Sequence, residues 1–232
     1  MGEPKYPAHD IQSKSCIQVP DKRVDTIEQY DKEAAATGWH GPAVVFGLAF
    51  PYTRPGQTIL DIGIGTGLGS ELFHKAGIHV IGIDISEEMM DACRKKGFAD
   101  RLVRHDLTMT PYPFGDASFD HAVSTGVFQF FKNLDLVIGE VSRILRDGGI
   151  FVFVTGDRRP GEDATVIVGP EHMGICSPVT MYRHTVNEVN GWLQKSSFRL
   201  VDNLEFPVYM DKERSKCFPA RTYLAQKIWT VR

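Results

Sequence analysis

Residues Asp61 to Gly69 read D-I-G-I-G-T-G-L-G and follow directly on the apolar run Thr58-Ile59-Leu60. A short strand that runs into so dense a glycine turn restricts the chain to few folds. Glycine adopts backbone angles closed to other residues and carries no side chain to hold a ligand away from the main chain. A helix expected from about Gly67 onward would turn its unpaired N–H groups toward the same space. The spacing separates one class of ligand from another. The dinucleotide fingerprint G-x-G-x-x-G requires a third glycine three positions after the second. Counted from Gly63 and Gly65 that position is Leu68, and counted from Gly65 and Gly67 it is Ser70. The glycines stand instead at Gly63, Gly65 and Gly67, behind an acid at Asp61. A carboxylate beside the loop suits a positively charged ligand better than a pyrophosphate.

The pattern around this turn repeats. Thr58–Gly63, Ile78–Ile83, Arg101–Arg104, Phe119–Ser124 and Ile150–Val154 read as strands, with helices between several of them. Ser86 is a good N-cap, Glu87 and Glu88 suit the helix start, and Lys95-Lys96-Gly97 suits its end. Leu134, Val137, Ile138, Val141 and Leu145 fall on one helix face. Such alternation predicts a mostly parallel α/β sheet with right-handed crossovers. Thr185 and Glu188 form a capping box ahead of a further helix. Phe198–Val201 and Tyr223–Ile228 have no helical pattern between them and predict a closing antiparallel pair, making seven strands. Residues 1 to 50 read as a proline-bearing lead-in and two helices split around Gly38, and residues 51 to 232 as the main domain. Residues 156 to 183, rich in glycine and proline, read as an insertion in that domain.

Composition narrows the function. A chain of 232 residues with 42% hydrophobic and 24% charged residues suits one domain with a sizeable core. A net charge of −3 supplies no basic field for nucleic acid or acidic membrane. No apolar stretch approaches the roughly 20 residues of a membrane span. The N-terminus lacks a signal-peptide core, and Tyr6 stands where a myristoylation signal needs Ser or Thr. Cys16, Cys93, Cys176 and Cys217 form no C-x-x-C pair, and the eight histidines form no compact ligand spacing. These features predict a cytoplasmic protein with reduced thiols and no metal.

Asp61, Asp84 and Asp106 each follow or end a successive strand, one βα unit apart. Ligands of open α/β sheets bind beyond these strand ends, and an acid about 20 residues past the first glycine can take two ribose hydroxyls. A cationic nucleoside satisfies the set. At this point the chain resembles the class I S-adenosylmethionine-dependent methyltransferases, particularly the small-molecule group that includes the ubiquinone and menaquinone biosynthesis enzymes. The matching segments are D-I-G-I-G-T-G (Asp61–Gly67), I-G-I-D-I-S-x-x-M (Ile81–Met89), H-D-L (His105–Leu107), F-D-x-x-x-S (Phe119–Ser124) and L-R-D-G-G (Leu145–Gly149). The resemblance covers about residues 25 to 230 and implies a Rossmann-like fold with helices on both faces and an antiparallel last strand.

The resemblance also implies roles. Gly63, Gly65 and Gly67 would let the backbone pass close to the methionine part of S-adenosyl-L-methionine, with Asp61 toward its ammonium. Asp84 would hold the ribose, with Ile85 and Met89 against the adenine. Asp106 and the Leu107 N–H would bond the adenine, Ser124 would offer its carbonyl to the ammonium, and Tyr30 would close over the cofactor. Candidates for the acceptor side are Trp39, Phe128, His172, Tyr182 and His184, with His184 the candidate base. Each of these also has an ordinary structural reading as packing, loop or helix entry. Strand four ends S-T-G-V (Ser124–Val127) rather than the N/D-P-P-Y/F of enzymes that methylate nucleobase amino groups, which, with the acidic balance of the chain, argues against a nucleic-acid substrate. The alternatives are a methyltransferase acting on protein or RNA, and a protein that binds the nucleoside without turnover. The oligomeric state is not legible in the sequence.

Overall fold

The computed structural model describes residues 24–168, 178–209 and 214–229. The lead-in over residues 1 to 20 and the centre of the insertion, including His172, lie outside the described residues. Helices α1 (Val24–Thr37) and α2 (Gly41–Ala49) come first, split at Gly38 as the glycine and proline signals predict. The alternating part follows with β1 (Thr58–Ile62), α3 (Glu71–Lys75), β2 (His79–Asp84), α4 (Glu87–Lys96), β3 (Arg101–Arg104), β4 (His121–Ser124), α5 (Asp135–Ile144) and β5 (Ile150–Asp157). The chain continues through β6 (Thr165–Val168), β7 (Val179–His184), α6 (Val186–Lys195), β8 (Phe198–Tyr209) and β9 (Cys217–Lys227).

Strands β3, β2, β1, β4 and β5 pair in that order, all parallel. Strand β9 runs antiparallel along β5 from Ile150↔Gln226 to Gly156↔Ala220 and carries β8 antiparallel on its other edge. These are the seven strands the sequence predicts. The insertion adds two more, because β6 and β7 pair antiparallel. The run Thr165-Val166-Ile167-Val168 is β-branched throughout, but it is only four residues long and is hidden among turn residues. Strand β7 also pairs parallel with Gly156 and Asp157 of β5. Gly156 meets β9 on one edge, so β7 takes the other edge, above the point where β4 has ended.

Side chains alternate across this sheet and build a core on each face. Ile59, Val80, Val152 and Val154 pack with Val45 of α2, Phe73 of α3, and Met90 and Cys93 of α4. Leu60, Ile62, Ile83, Phe151 and Phe153 pack with Val137, Ile138 and Val141 of α5 and Val189 and Leu193 of α6. Strand β5 is buried along its whole length, as its uniform apolar sequence demands. The caps form as predicted. The Ser86 side chain accepts from the Met89 N–H, Gly97 ends α4 at φ 69°, and Thr185 and Glu188 close a reciprocal capping box. The first crossover helix is shorter than expected. It begins at Glu71 rather than near Gly67, because residues Gly67 to Ser70 form turns closed by Ser70 N–H and Glu71 N–H on the Gly67 carbonyl.

Candidate active site

Asp61 is the polar exception in an apolar strand. Ile59 lies on the α2–α3–α4 face and Leu60 and Ile62 on the other, so pleating turns Asp61 to the side of Ile59. Its residue exposure is 1%. Oδ2 accepts from the Ser70 hydroxyl, whereas Oδ1 has no hydrogen-bond partner among the described residues. Burial raises its pKa to about 7, the Ser70 bond works against that rise, and nearby Asp84 adds to it. A buried acceptor without a donor costs about 1–3 kcal/mol, so this oxygen is a place where a ligand's N–H is favoured.

The glycine turn crosses the end of β2. Gly63 N–H and Ile64 N–H donate to the Ile83 carbonyl, and Gly65 N–H donates to Asp84 Oδ2 at 2.8 Å. The three glycines are required for different reasons. A Cβ on Gly63 would stand 2.2 Å from Val127 Cγ2, and one on Gly67 would stand 2.5 Å from Phe98 Cζ and 2.8 Å from Cys93 Sγ. Those two make room for the protein's own side chains. Gly65 has φ 52°, and a Cβ there would meet only the tip of Met89, at 3.3 Å. Its bare face is the one open to an incoming molecule.

The register of the parallel strands sets the acids side by side, Asp61 opposite Gly82 and Asp84 opposite Arg104. Asp84 Oδ1 accepts from Ser86 N–H at 2.9 Å, and burial raises its pKa against the pull of its backbone donors. Ile85 is exposed beside it and Met89 lies half-buried on the first turn of α4. Asp106, two residues past β3, spends Oδ1 on the Thr108 N–H and hydroxyl. Leu107 is buried, and its carbonyl accepts from the Tyr112 phenol at 3.2 Å. The Ser124 hydroxyl donates to the Ile62 carbonyl at 2.7 Å, which ties the ends of β4 and β1 together.

Helix α1 lies over this rim. Asp31 accepts from the Thr66 hydroxyl at 2.6 Å and pairs with Lys96, which fastens the helix to the glycine turn and to the end of α4. The neighbouring Tyr30 phenol is pushed to a higher pKa by burial and then by the charges of Asp31 and Asp84. Beside it opens a cavity bounded by Tyr30, Glu33, Ala34 and Thr37 of α1, by Trp39, and by Gly126 and Gln129 after β4. Its floor is Val154 and Gly156 of β5, Met181 of β7, Val208 and Tyr209 of β8, and Phe218 and Ala220 of β9.

Of the acceptor-side candidates, Trp39 lines this cavity. Phe128 is fully buried in the core on the opposite face of the sheet, against Phe131, Phe151 and Phe153. Tyr182 follows Met181 on β7, so pleating turns the two side chains to opposite faces. His184 is 3% exposed and also lies away from the cavity, edge-on to Trp192 of α6, with Nδ1 on the Thr155 hydroxyl at 2.7 Å. Burial lowers its pKa, and although the Phe131–Lys132 backbone is near, Nε2 makes no contact of hydrogen-bond geometry there. Glu33, Gln129, Met181, Tyr209 and Phe218 are lining residues that no sequence motif marked. The one available signal was the α1 spacing that sets Glu33 on the same face as Tyr30.

A family model described as a methyltransferase domain matches residues 60–153, from Leu60 in β1 to Phe153 in β5. The malonyl-acyl-carrier-protein O-methyltransferase of Serratia marcescens is 31% identical over 140 residues, 59% of this chain and 54% of that protein. The protein of the same name from Erwinia pyrifoliae is 35% identical over 179 residues, 75% of this chain and 67% of that protein. The chain thus spans about half to two thirds of the length of these curated relatives. A solved S-adenosylmethionine-dependent methyltransferase from Methanosarcina mazei shares the fold, with a TM-score of 0.64 at 20% identity over 79% of this chain and 98% of that one. With the glycine turn, the strand-end acids and these likenesses together, the chain belongs to the class I S-adenosylmethionine-dependent methyltransferases.

Proposed function

We propose that this chain methylates a small-molecule acceptor with S-adenosylmethionine as the donor. The observation that carries the reading is the unpaired Oδ1 of Asp61, buried beneath a turn whose central glycine is bare toward open space. Asp61 and the Ser124 carbonyl would hold the ammonium of the donor, and Gly65 would let the main chain lie against its methionine part. Asp84 would take the ribose hydroxyls, Ile85 and Met89 the adenine face, and Asp106 with the Leu107 N–H the adenine edge. Tyr30 would cover the whole from α1. The sulfonium, when bound, supplies an already activated methyl group. The protein's task is therefore to orient an acceptor and exclude water, and positioning of that kind can account for roughly 7–11 kcal/mol of barrier. The cavity beside Tyr30 is the place for the acceptor, and no base is obligatory in it.

No helix among the described residues is long and apolar enough to cross a membrane. We assign the protein to the cytoplasm on its four cysteines without a C-x-x-C pair, and assign it no nucleic-acid partner on its net charge of −3. Calorimetry against S-adenosylmethionine and NAD tests the cofactor assignment. Binding of the first and not the second is expected, and a protein indifferent to S-adenosylmethionine at millimolar concentration would refute it. Release of S-adenosylhomocysteine in the presence of a panel of small metabolites tests turnover.

A further inference from the structure

The cavity wall is uneven in a way that constrains the acceptor, given the methyltransferase reading above. One side is apolar, with Val154, Met181 and Phe218 facing in from three strands. Trp39 flanks it, its ring 6.1 Å from that of Phe206. Two of the polar lining residues each have a donor already committed, with a second amide N–H left on Gln129. The Thr37 hydroxyl donates to the carbonyls of Glu33 and Ala34, and the Gln129 amide donates to the Gly126 carbonyl at 2.7 Å. The Tyr30 phenol stays protonated, its pKa raised. Among the described lining residues one side chain is charged, that of Glu33, and it is an anion. A second anion in this space would lie near Glu33 against low-dielectric walls, where repulsion is screened less than in water. An aromatic ring would instead find surfaces suited to stacking and to sulfur contact.

We propose that the acceptor is a ring-bearing, largely apolar molecule without negative charge, and that Glu33 sets this specificity by repelling anionic acceptors. Exclusion of a competitor by a like charge is a recognised way to build selectivity.

The test uses 2-naphthol and 2-naphthoate, one ring system in a neutral and an anionic form at neutral pH. Each is titrated calorimetrically into the full chain, with and without saturating S-adenosylhomocysteine. Naphthol is expected to bind at least about tenfold more tightly than naphthoate in both series. Glu33→Gln keeps the helix propensity and is expected to narrow the gap to about threefold or less by tightening naphthoate alone. Trp39→Ala is expected to weaken naphthol. Equal or tighter binding of naphthoate, an unchanged gap in Glu33→Gln, or binding of neither ring would overturn the proposal. Loss of S-adenosylhomocysteine binding alongside an intact naphthol preference would count against the donor assignment and for the acceptor class.

Discussion

A carboxyl group that ionises less readily in the folded chain than in the unfolded one makes the fold bind protons. Asp61 is such a group, at about 7 against 3.8. Below about pH 4 it is protonated in both states; above that, the unfolded chain has shed the proton that the folded chain still holds. Stability from this group therefore falls as pH rises, by about 1.4 kcal/mol per pH unit, and levels off once Asp61 ionises in the fold. Glu188 works in the opposite sense, since its Arg158 and Thr185 partners outweigh burial and hold it at about 2. The difference between wild type and Asp61→Asn is therefore the quantity to read. Urea midpoints of the unliganded protein should show Asp61→Asn gaining on wild type between pH 5 and pH 8, and a difference that is flat with pH would contradict the burial argument. A cationic ligand reverses the balance, so S-adenosylmethionine should bind more tightly as pH rises through about 7 and should release a proton, visible as a calorimetric enthalpy that depends on the buffer. Asp84→Ala should weaken that binding at least about tenfold through loss of charge-assisted hydrogen bonds, and an unchanged dissociation constant would remove the ribose assignment. Asp61, Asp84 and Asp106 were legible in the sequence because each falls in or just after a successive predicted strand, one βα unit apart. Met181 and Phe218 were not, because an apolar residue on a strand carries no mark of whether core or ligand will cover it.

Helix α1 shows how an element far from any motif enters a site. Its attachment to the rim includes two contacts of one carboxylate, Asp31 with Thr66 on the glycine turn and with Lys96 on α4. Asp31→Ala removes both and leaves the hydroxyl of Thr66, a buried residue, without this acceptor. The pair with Lys96 is partly exposed and worth no more than about 1 kcal/mol, but the Thr66 hydroxyl loses a charged acceptor, so the stability lost should be about 1–3 kcal/mol. Ligand binding should suffer as well, because Tyr30 and the α1 wall of the cavity move with the helix. Faster amide exchange over residues 24–37, with weaker S-adenosylmethionine binding and a urea midpoint lowered only by that loss, is the expected signature. Unchanged exchange would show that packing alone fixes the helix. At this scale the sequence revealed the capped helices α4 and α6, whose ends carry their own chemistry. It overstated α3, where Ser70 gives its hydroxyl to Asp61 instead of capping. It passed over β6 and β7, since four β-branched residues among glycines and prolines have too little periodicity to declare a strand.

The order β3-β2-β1-β4-β5 is visible only in the structure, but across the whole molecule the mostly parallel sheet with its antiparallel last strand was legible, because strands alternate with helices until the chain's last two strands. Where β7 joins was not, since that depends on β4 stopping short of the end of β5. The order has a thermodynamic consequence. The proposed donor site draws on the ends of β1, β2, β3 and β4 and on α1, so a ligand there bridges segments that are otherwise held together only through the sheet. Binding to the folded state alone adds about 2.7 kcal/mol at a hundredfold excess over the dissociation constant. For a chain of this size that corresponds to a rise of about 5–10 °C in melting temperature. S-adenosylhomocysteine should produce such a shift, and NAD at the same concentration should not. Asp84→Ala should need about tenfold more ligand for the same shift. The two cores share one sheet, so α5 and α6, remote from the ligand, should gain exchange protection together with the glycine turn. Protection confined to the rim would mean that the faces unfold separately, and the shift would then report local order rather than the stability of the fold.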